Sequence, residues 1–318
     1  MAHFDVFNGD ADGICSLHQL RLDMPKHAQL ISGPKRDIEL LQRVAARSGD
    51  SVTALDISMA TNHDALVALL RAGVSVEYFD HHFAGDVPVH PGLTATLDPS
   101  SAVCTGMLVD RHLAGRQRIW AVVAAFGDNL LREARVLAQP LHLADPQLDA
   151  LQELGEALAY NGYGENEADL IIHPVALYRT LSAYADPFEF MRAEPVFGRI
   201  DDSRRADLRQ AQAIGPELSH AGMTLYRLPD EPWSRRVRGV FINELAHRAP
   251  DKAHAVLTHN DQGGFTVSVR APLSNNSGAD ALCRQFETGG GRVGAAGINH
   301  LPPERIAEFA SLLARAYP

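Results

Sequence analysis

The sequence predicts an α/β protein: an N-terminal domain with a parallel sheet, joined by a helical connector to a smaller α/β C-terminal domain. Apolar runs typical of buried strands alternate with helical runs from the start of the chain, a pattern that favours a parallel sheet with helices on both faces. A second alternation follows a polar, arginine-rich stretch. The predicted bounds are 1–186, 187–222 and 223–318 for the first domain, the connector and the second domain.

The first domain is predicted from four strands and several helices. The strands are expected at Phe4–Phe7, Ala28–Ser32, Ser51–Leu55 and Val74–Phe79. Helices are expected at Cys15–Leu22, at Asp37–Arg47 with one apolar stripe, and at Asp64–Ala72, which Gly73 closes. Residues 102–185 are mostly helical in pattern and place Asp128 in the turn after Ile119–Phe126.

The connector is predicted as one polar helix over Pro187–Ala213. The second domain is expected to contain strands at Met223–Leu228, Ala253–His259, Phe265–Arg270 and Ile298–His300. Its predicted helices are Ser234–His247, Ala279–Thr288 and a last helix from Pro303, with a glycine-rich turn after residue 288.

Composition limits the classes of function. The 318 residues suffice for two hydrophobic cores, and 46% hydrophobic with 21% charged residues is ordinary for a soluble protein. A net charge of −10 argues against a broad basic surface for long nucleic acid. No apolar run is long enough to predict a membrane span. Three separated cysteines (Cys15, Cys104 and Cys283) predict buried thiols in a reducing, cytoplasmic environment. The sequence leaves open whether the chain forms a homodimer.

Four acidic and histidine clusters carry most of the chemical information. They are Asp10-Ala11-Asp12-Gly13, Asp56, Asp80-His81-His82 and Asp128, and the first three follow predicted strands. Because the carboxyl ends of parallel strands meet at one edge of a sheet, these side chains should converge. Carboxylates with one or two imidazoles suit Mn²⁺ or Mg²⁺, and pairs of such ions often serve to hydrolyse phosphate esters. The set therefore predicts a metallophosphoesterase.

Each cluster taken alone is also compatible with a different role. Asp10 and Asp12 fit the opening motif of haloacid-dehalogenase phosphatases, a calcium-binding turn or a solvated helix start. Asp56 alone fits a helix cap, and Asp80-His81-His82 fits a polar loop. Consecutive histidines on extended backbone point in opposite directions, so one can bind metal while its neighbour faces substrate. The occurrence of all four clusters at strand ends favours the metal site.

Taken together, the four clusters resemble the motifs of the DHH phosphoesterase superfamily. That superfamily includes the RecJ exonucleases, bacterial nanoRNases, cyclic-di-AMP phosphodiesterases and family II pyrophosphatases. The second domain is similar to the DHH-associated substrate-binding domain through Phe265–Arg270 and the glycine-rich segment 289–297. Residues 150–220 carry no match.

The resemblance implies a two-ion site with Mn²⁺ as the preferred cofactor and Mg²⁺ as the alternative. Asp56 would bridge both ions, Asp10 would bind one, and the other would be held by Asp12, His81 and Asp128. A water or hydroxide between the ions would attack phosphorus, with His82 facing the scissile phosphate. Many members have a histidine four residues before the first aspartate, where this chain has Val6, so Asn8 or water would complete that ion.

The glycine-rich segment is predicted to bind substrate. Gly289-x-Gly291-x-x-Gly294 matches the dinucleotide fingerprint in letters, but it follows a helix rather than a strand. Backbone amides at Gly289, Gly290 and Gly291 are instead expected to approach a phosphate, with Arg292 in the position of the family's histidine. Arg270 is the second expected anion contact. A surface salt bridge is the alternative for each arginine.

The resulting functional prediction is metal-dependent hydrolysis of phosphodiester bonds in short oligonucleotides or nucleotides, in a cleft between the two domains. The chain lacks the additional modules usual in processive RecJ-type exonucleases, which favours a small substrate. Three alternatives stay open: a 3′-phosphoadenosine 5′-phosphate phosphatase, a RecJ-like single-strand exonuclease, and a non-catalytic nucleotide-binding protein.

Overall fold

The computed structural model describes residues 1–318 and divides them into two compact units. The first unit is Met1–Asp201 and the second is Asp202–Pro318. The division falls inside one helix, Pro195–Gln212. The finer division into two domains and a separate connector stays a prediction.

The first unit contains a five-stranded, entirely parallel sheet, as predicted from the strand–helix alternation. In spatial order the strands are β2-β1-β3-β4-β5. Their bounds are β1 His3–Phe7, β2 Gln29–Ile31, β3 Ser51–Leu55, β4 Ser75–Asp80 and β5 Leu93–Leu97. The edge strand β5 was not predicted because its side chains are half-buried or exposed, so it lacks the continuous apolar run of the inner strands.

Nine helices begin in the first unit. They are α1 Ala11–Asp23, α2 His63–Arg71, α3 Thr105–His112, α4 Arg118–Gly127, α5 Leu131–Ala138, α6 Asp145–Gly162, α7 Pro174–Leu181, α8 Pro187–Ala193 and α9 Pro195–Gln212. Helix α4 is buried over Trp120–Phe126 because it is apolar on all sides and packs against α1, α3, α5 and α6. Helix α2 packs on the sheet, where Leu66 and Leu70 join a core with Val52 and Val76.

Two helical predictions were wrong for identifiable reasons. Over Asp37–Arg47 only a 3₁₀ turn forms, at Leu40–Arg43. There the side chain of Asn62 donates to the Ile38 carbonyl (2.6 Å) and accepts from the Leu41 amide (3.1 Å), bonds that an α-helix would make within its backbone. The predicted single connector helix breaks at Pro195, because Glu194 before the proline is extended (φ −99°, ψ 115°).

The second unit has a mixed six-stranded sheet with helices on both faces. The strand order is β10-β11-β9-β8-β7-β6, and only β7–β8 are parallel. The strands are β6 Leu218–Ser219, β7 Met223–Arg227, β8 Ala253–His259, β9 Phe265–Arg270, β10 Gly289–Gly291 and β11 Ala295–Leu301. The helices are α10 Pro232–Arg248, α11 Ala279–Cys283 and α12 Ile306–Ala316. Helices α11 and α12 cover one core, which includes Val267 and Phe309, and α10 covers the other, which includes Val256 and Phe241.

The glycine-rich segment forms part of a hairpin where a turn was predicted. Gly289, Gly290 and Gly291 pair with Ile298, Gly297 and Ala296 of β11. The preceding helix ends at Cys283, well before the predicted Thr288. The hairpin satisfies backbone groups that would otherwise be unpaired at the edge of β11. None of the helices in this structure is both long and apolar enough to cross a membrane.

Candidate metal centre

Backbone hydrogen bonds align the ends of three neighbouring strands of the first sheet. The Asn8 amide donates to the Leu55 carbonyl (3.1 Å), and the Asp56 amide donates to the Phe79 carbonyl (3.0 Å). The segments that follow β1, β3 and β4 therefore leave the sheet side by side. This alignment brings Asp10, Asp56 and the Asp80-His81-His82 segment to one edge of the sheet.

His81 faces three carboxylates with one ring nitrogen. Its Nδ1 lies 2.8 Å from the Val103 carbonyl oxygen. Since a carbonyl can only accept, Nδ1 carries a proton, and in the neutral ring Nε2 has the lone pair. That Nε2 lies 3.5 Å from Asp56 Oδ1 and 3.9 Å from both Asp12 Oδ2 and Asp128 Oδ2. Ligands that share an ion at about 2.1 Å lie roughly 3 Å or more apart, so these four donors could surround one cation.

Asp12 is held by the N-terminus of α3. Its Oδ2 accepts from the Thr105 amide (2.8 Å) and its Oδ1 from the Gly106 amide (2.7 Å). These amides have no partner within the helix, and the helix dipole favours a negative charge there. Burial nevertheless raises the pKa of the Asp12 carboxyl, with Asp128 and Asp10 adding to the effect.

Asp56 is a buried carboxylate in an unusual backbone conformation. Its φ of 59° is left-handed, which is uncommon for a residue other than glycine and is often found at functional sites. Its Oδ1 accepts from the Thr105 hydroxyl at 3.1 Å. Burial raises the pKa of the Asp56 carboxyl well above its usual range, and the charges of Asp12 and Asp10 raise it further. A cation at this position would relieve the excess of negative charge.

Asp128 reaches the same edge from the end of α4. The preceding residue must be small, because a Cβ on Gly127 would lie 2.3 Å from the Ala11 Cβ. The close contact between α4 and α1 thus places Asp128 near Asp12. The Asp128 side chain is 16% exposed, which makes it the most accessible of the three carboxylates around His81.

His82 is paired with Asp80, whereas His81 is hydrogen-bonded to a backbone carbonyl. Its Nδ1 lies 2.7 Å from Asp80 Oδ1, and Asp80 is fully buried. Burial alone would lower the pKa of His82, but the hydrogen bond and charge of Asp80 outweigh this and raise it. The second oxygen of Asp80 has no hydrogen-bond partner. His82 is 41% exposed, so its Nε2 is the atom left for a ligand.

Asp10 has a lysine partner that sequence reasoning missed. Asp10 Oδ1 accepts from the amides of Asp12 (3.1 Å) and Gly13 (3.3 Å) as the N-cap of α1. Its Oδ2 lies 2.5 Å from Lys35 Nζ. Burial alone would raise the pKa of Asp10, but the Lys35 ammonium outweighs it and holds that pKa below its usual value. Lys35 follows the short strand β2, so the strand-end rule that located the acidic residues could also have located this lysine.

The Asn8 side chain, which was expected to lie near the ion at Asp10, is hydrogen-bonded to the backbone at both ends. Its Nδ2 donates to the Lys35 carbonyl (3.2 Å) and its Oδ1 accepts from the Asp10 amide (3.3 Å). Val6 is fully buried in the core.

The predicted substrate contacts all lie in the second unit. Arg270 pairs with Ala295 of β11, and its Nε donates to Asn243 Oδ1 at 2.9 Å. Arg292 is exposed beyond β10, and its amide donates to the Ala295 carbonyl (2.9 Å). Space above Gly290 is open, since a Cβ there would meet no atom within 4 Å. Arg270 and Arg292 therefore flank the same end of the hairpin.

The donor set around His81 fits a divalent ion. One ligand atom each of Asp56, His81 and His82 also lies within 4.8 Å of the other two. Carboxylates with imidazole suit Mn²⁺ and Mg²⁺. Asp12, Asp56, His81 and Asp128 are the residues that would hold the ion.

Comparisons with known proteins give a match only at the level of structure. No family sequence model matches the chain, and no curated protein does. A RecJ exonuclease bound to manganese matches with a TM-score of 0.63 at 16% identity, covering 99% of this chain and 90% of that one. RecJ from Thermus thermophilus with Mn²⁺ matches at 0.55 and 20% identity; the chain covers 52% of it, about half its length.

A shorter neighbour matches over its full length. The pGpG-specific phosphodiesterase PggH of Vibrio cholerae has a TM-score of 0.56 at 15% identity, with 99% of both chains covered. The chain therefore has the fold shared by the RecJ exonucleases and PggH, as the resemblance predicted for its fold.

Proposed function

We propose that this chain is a metal-dependent phosphodiesterase that hydrolyses short oligonucleotides or nucleotides. The observation that carries the proposal is the orientation of His81. Its Nδ1 is fixed by the Val103 carbonyl, so its Nε2 lone pair faces Asp12, Asp56 and Asp128 at 3.5–3.9 Å. A hydrogen-bonded imidazole that faces several buried carboxylates is the arrangement expected of a metal ligand with an outer-shell partner.

Mn²⁺ is the proposed cofactor, with Mg²⁺ as the alternative. RecJ structures bound to Mn²⁺ share the fold, which supports this choice. A divalent ion here would lower the pKa of a water and stabilise negative charge on a phosphate. The finer proposal, taken from the motif pattern, is a pair of ions with Asp56 shared between them.

His82 is proposed to act on the phosphate. Asp80 accepts from Nδ1 and stabilises the imidazolium, so His82 can hold a proton at Nε2. From there His82 would donate a hydrogen bond to a phosphate oxygen as negative charge develops on it, which is electrostatic stabilisation of the transition state.

A small substrate is favoured by two observations. PggH, a phosphodiesterase specific for pGpG, shares the fold of this chain. The net charge of −10 also disfavours a long strand, which would meet repulsion outside the site. Arg270, Arg292 and the open backbone at Gly290 are proposed to contact the substrate's phosphate or terminal nucleotide.

A substrate screen with a matched control tests this function. The purified chain with Mn²⁺ should be assayed on RNA and DNA from dimers to oligomers of about 24 nucleotides, cyclic dinucleotides, bisphosphorylated adenosine and pyrophosphate. The control is Asp64→Asn, since Asp64 is a fully exposed carboxylate. We expect dimers to be the best substrates, with His81→Ala inactive and Asp64→Asn unaffected.

The other outcomes identify the alternatives. Fastest, processive degradation of the longest strand would indicate a RecJ-like exonuclease. Selective release of phosphate from bisphosphorylated adenosine would indicate a phosphomonoesterase. Nucleotide binding without turnover of any substrate would indicate a binding protein.

A further inference from the structure

We infer that Lys35 is a built-in cation of this site, taking the place on Asp10 that the two-ion pattern gives to one divalent ion. The chain would then bind one divalent ion tightly, at His81, and use the lysine ammonium as its second positive charge. The inference rests on the proposed function and specifies how many divalent ions the site binds tightly.

The position of the ammonium supports this inference. Lys35 Nζ lies 2.5 Å from Asp10 Oδ2 and 3.8 Å from Asp128 Oδ1. It therefore lies between two of the carboxylates predicted to bind metal. Asp10 Oδ1 is already used by two backbone amides at the start of α1, so Lys35 occupies the remaining oxygen.

The Lys35 backbone is fixed on both sides, which distinguishes it from a flexible surface lysine. Its amide donates to the Gly162 carbonyl (2.8 Å), and its carbonyl accepts from Asn8 Nδ2 (3.2 Å). Gly162 ends α6 directly against Asp10, because a Cβ on it would lie 2.8 Å from the Asp10 Cβ. The same residues that position Asp10 thus deliver Lys35 to it.

The position four residues before Asp10, where the two-ion pattern has a histidine, supplies no imidazole for a second ion. Val6 is aliphatic and fully buried, and both ends of the Asn8 side-chain amide are engaged with the backbone. On the other side, the Lys35 ammonium lies 5.7 Å from the centre of the Tyr163 ring, a favourable place for a cation. The Lys35 side chain is 32% exposed, so part of it faces solvent.

Metal stoichiometry tests this inference directly. Mn²⁺ binding to the full chain should be measured by calorimetry, and the bound ions by electron paramagnetic resonance. We expect the wild type to bind one ion tightly, with the spectrum of an isolated Mn²⁺, and a second at least about tenfold more weakly, about 1.4 kcal/mol. Lys35→Met should bind two ions tightly and show an exchange-coupled pair.

Two controls separate charge from structure. Lys35→Arg keeps the positive charge and should still bind one ion tightly, whereas Lys26→Met removes an exposed lysine and should behave as the wild type. Metal-free Lys35→Met should melt at a lower temperature than the wild type. Saturating Mn²⁺ should raise its melting temperature by more than it raises that of the wild type, because the new ion replaces the lost ammonium.

The outcomes distinguish this inference from the proposed function. An exchange-coupled pair of equally tight ions in the wild type would overturn the inference alone, and needs no variant to fold. One tight ion in a folded Lys35→Met would overturn it as well. Absence of any Mn²⁺ binding to the wild type would overturn both the inference and the proposed function.

Discussion

Replacing Asp56 by asparagine should abolish activity and at the same time stabilise the metal-free protein. Asparagine keeps an oxygen that can accept from the Thr105 hydroxyl, and it tolerates the left-handed backbone at φ 59°. The substitution therefore removes one negative charge and little else. Loss of a main electrostatic element of the transition state should lower turnover by at least about 10³-fold.

The stability change follows from the buried charges. Two like charges about 4 Å apart cost on the order of 4 kcal/mol at an effective dielectric of about 20. The Lys35 ammonium offsets part of this cost, so we expect metal-free Asp56→Asn to gain about 1–2 kcal/mol. For a unit of this size, each kcal/mol raises the melting temperature by roughly 2–4 °C.

The response to metal should show the opposite effect. At an Mn²⁺ concentration of about a hundred times the dissociation constant, binding stabilises the native wild type by about 2.7 kcal/mol. Calorimetric scans with EDTA and with Mn²⁺ should show this rise in the wild type and in Asp64→Asn, but not in Asp56→Asn.

The pH dependence has a definite sign. Because the pKa of Asp56 is raised in the folded state, Asp56 favours the native state while protonated, and this contribution is lost as the pH rises through the folded pKa. The stability difference between metal-free Asp56→Asn and the wild type should therefore shrink as the pH falls. A folded variant that keeps more than a tenth of wild-type turnover, or is less stable than the wild type without metal, would refute the assignment of Asp56.

Three further predictions concern substrate, length and acid stability. Arg270→Ala and Arg292→Ala should each raise the Michaelis constant about ten- to a hundred-fold, because each removes a charge-assisted contact to phosphate, and calorimetry should show an unchanged Mn²⁺ affinity. A weaker Mn²⁺ affinity with an unchanged Michaelis constant would mean that these arginines act elsewhere. If the site holds only a few phosphates, a plot of the logarithm of substrate affinity against the logarithm of salt concentration should have a slope of about −1 to −3, and hydrolysis should slow for strands longer than roughly five nucleotides. A steeper slope together with fastest cleavage of long strands would contradict this. Burial lowers the pKa of His18 from 6.5 to about 4, while its Nε2 bonds the Tyr184 carbonyl. On acidification the unfolded state therefore binds a proton at His18 before the folded state does, so the free energy of unfolding, measured with urea, should fall by up to about 3 kcal/mol between pH 6.5 and 4. The substitution His18→Gln should make this fall smaller. The same pH profile in the variant as in the wild type would disprove the assignment to His18.

Several features were predictable from the sequence because they depend on local pattern. The apolar runs at β1, β3 and β4 predicted buried parallel strands, and the parallel sheet is confirmed. Since such strands end at one edge, the clustering of Asp10, Asp56 and Asp80 followed from their positions just after or at the end of these strands. The ligand roles assigned to individual residues remain predictions.

Other features depended on contacts between distant residues, which no local pattern contains. The helix predicted over Asp37–Arg47 failed because Asn62, distant in sequence, supplies competing hydrogen bonds. The glycine-rich segment became a strand because the edge of β11 was available for pairing.

The finer chemistry of the site was decided in the same way. The kinds of donor group that come together were predictable, since strand ends and motif spacing fix their neighbourhood. The contacts of Val103 with the His81 imidazole, of Asp80 with His82 and of Lys35 with Asp10 form only on folding. These are single hydrogen bonds and ion pairs across folded segments, and their geometry exists only once the segments have packed.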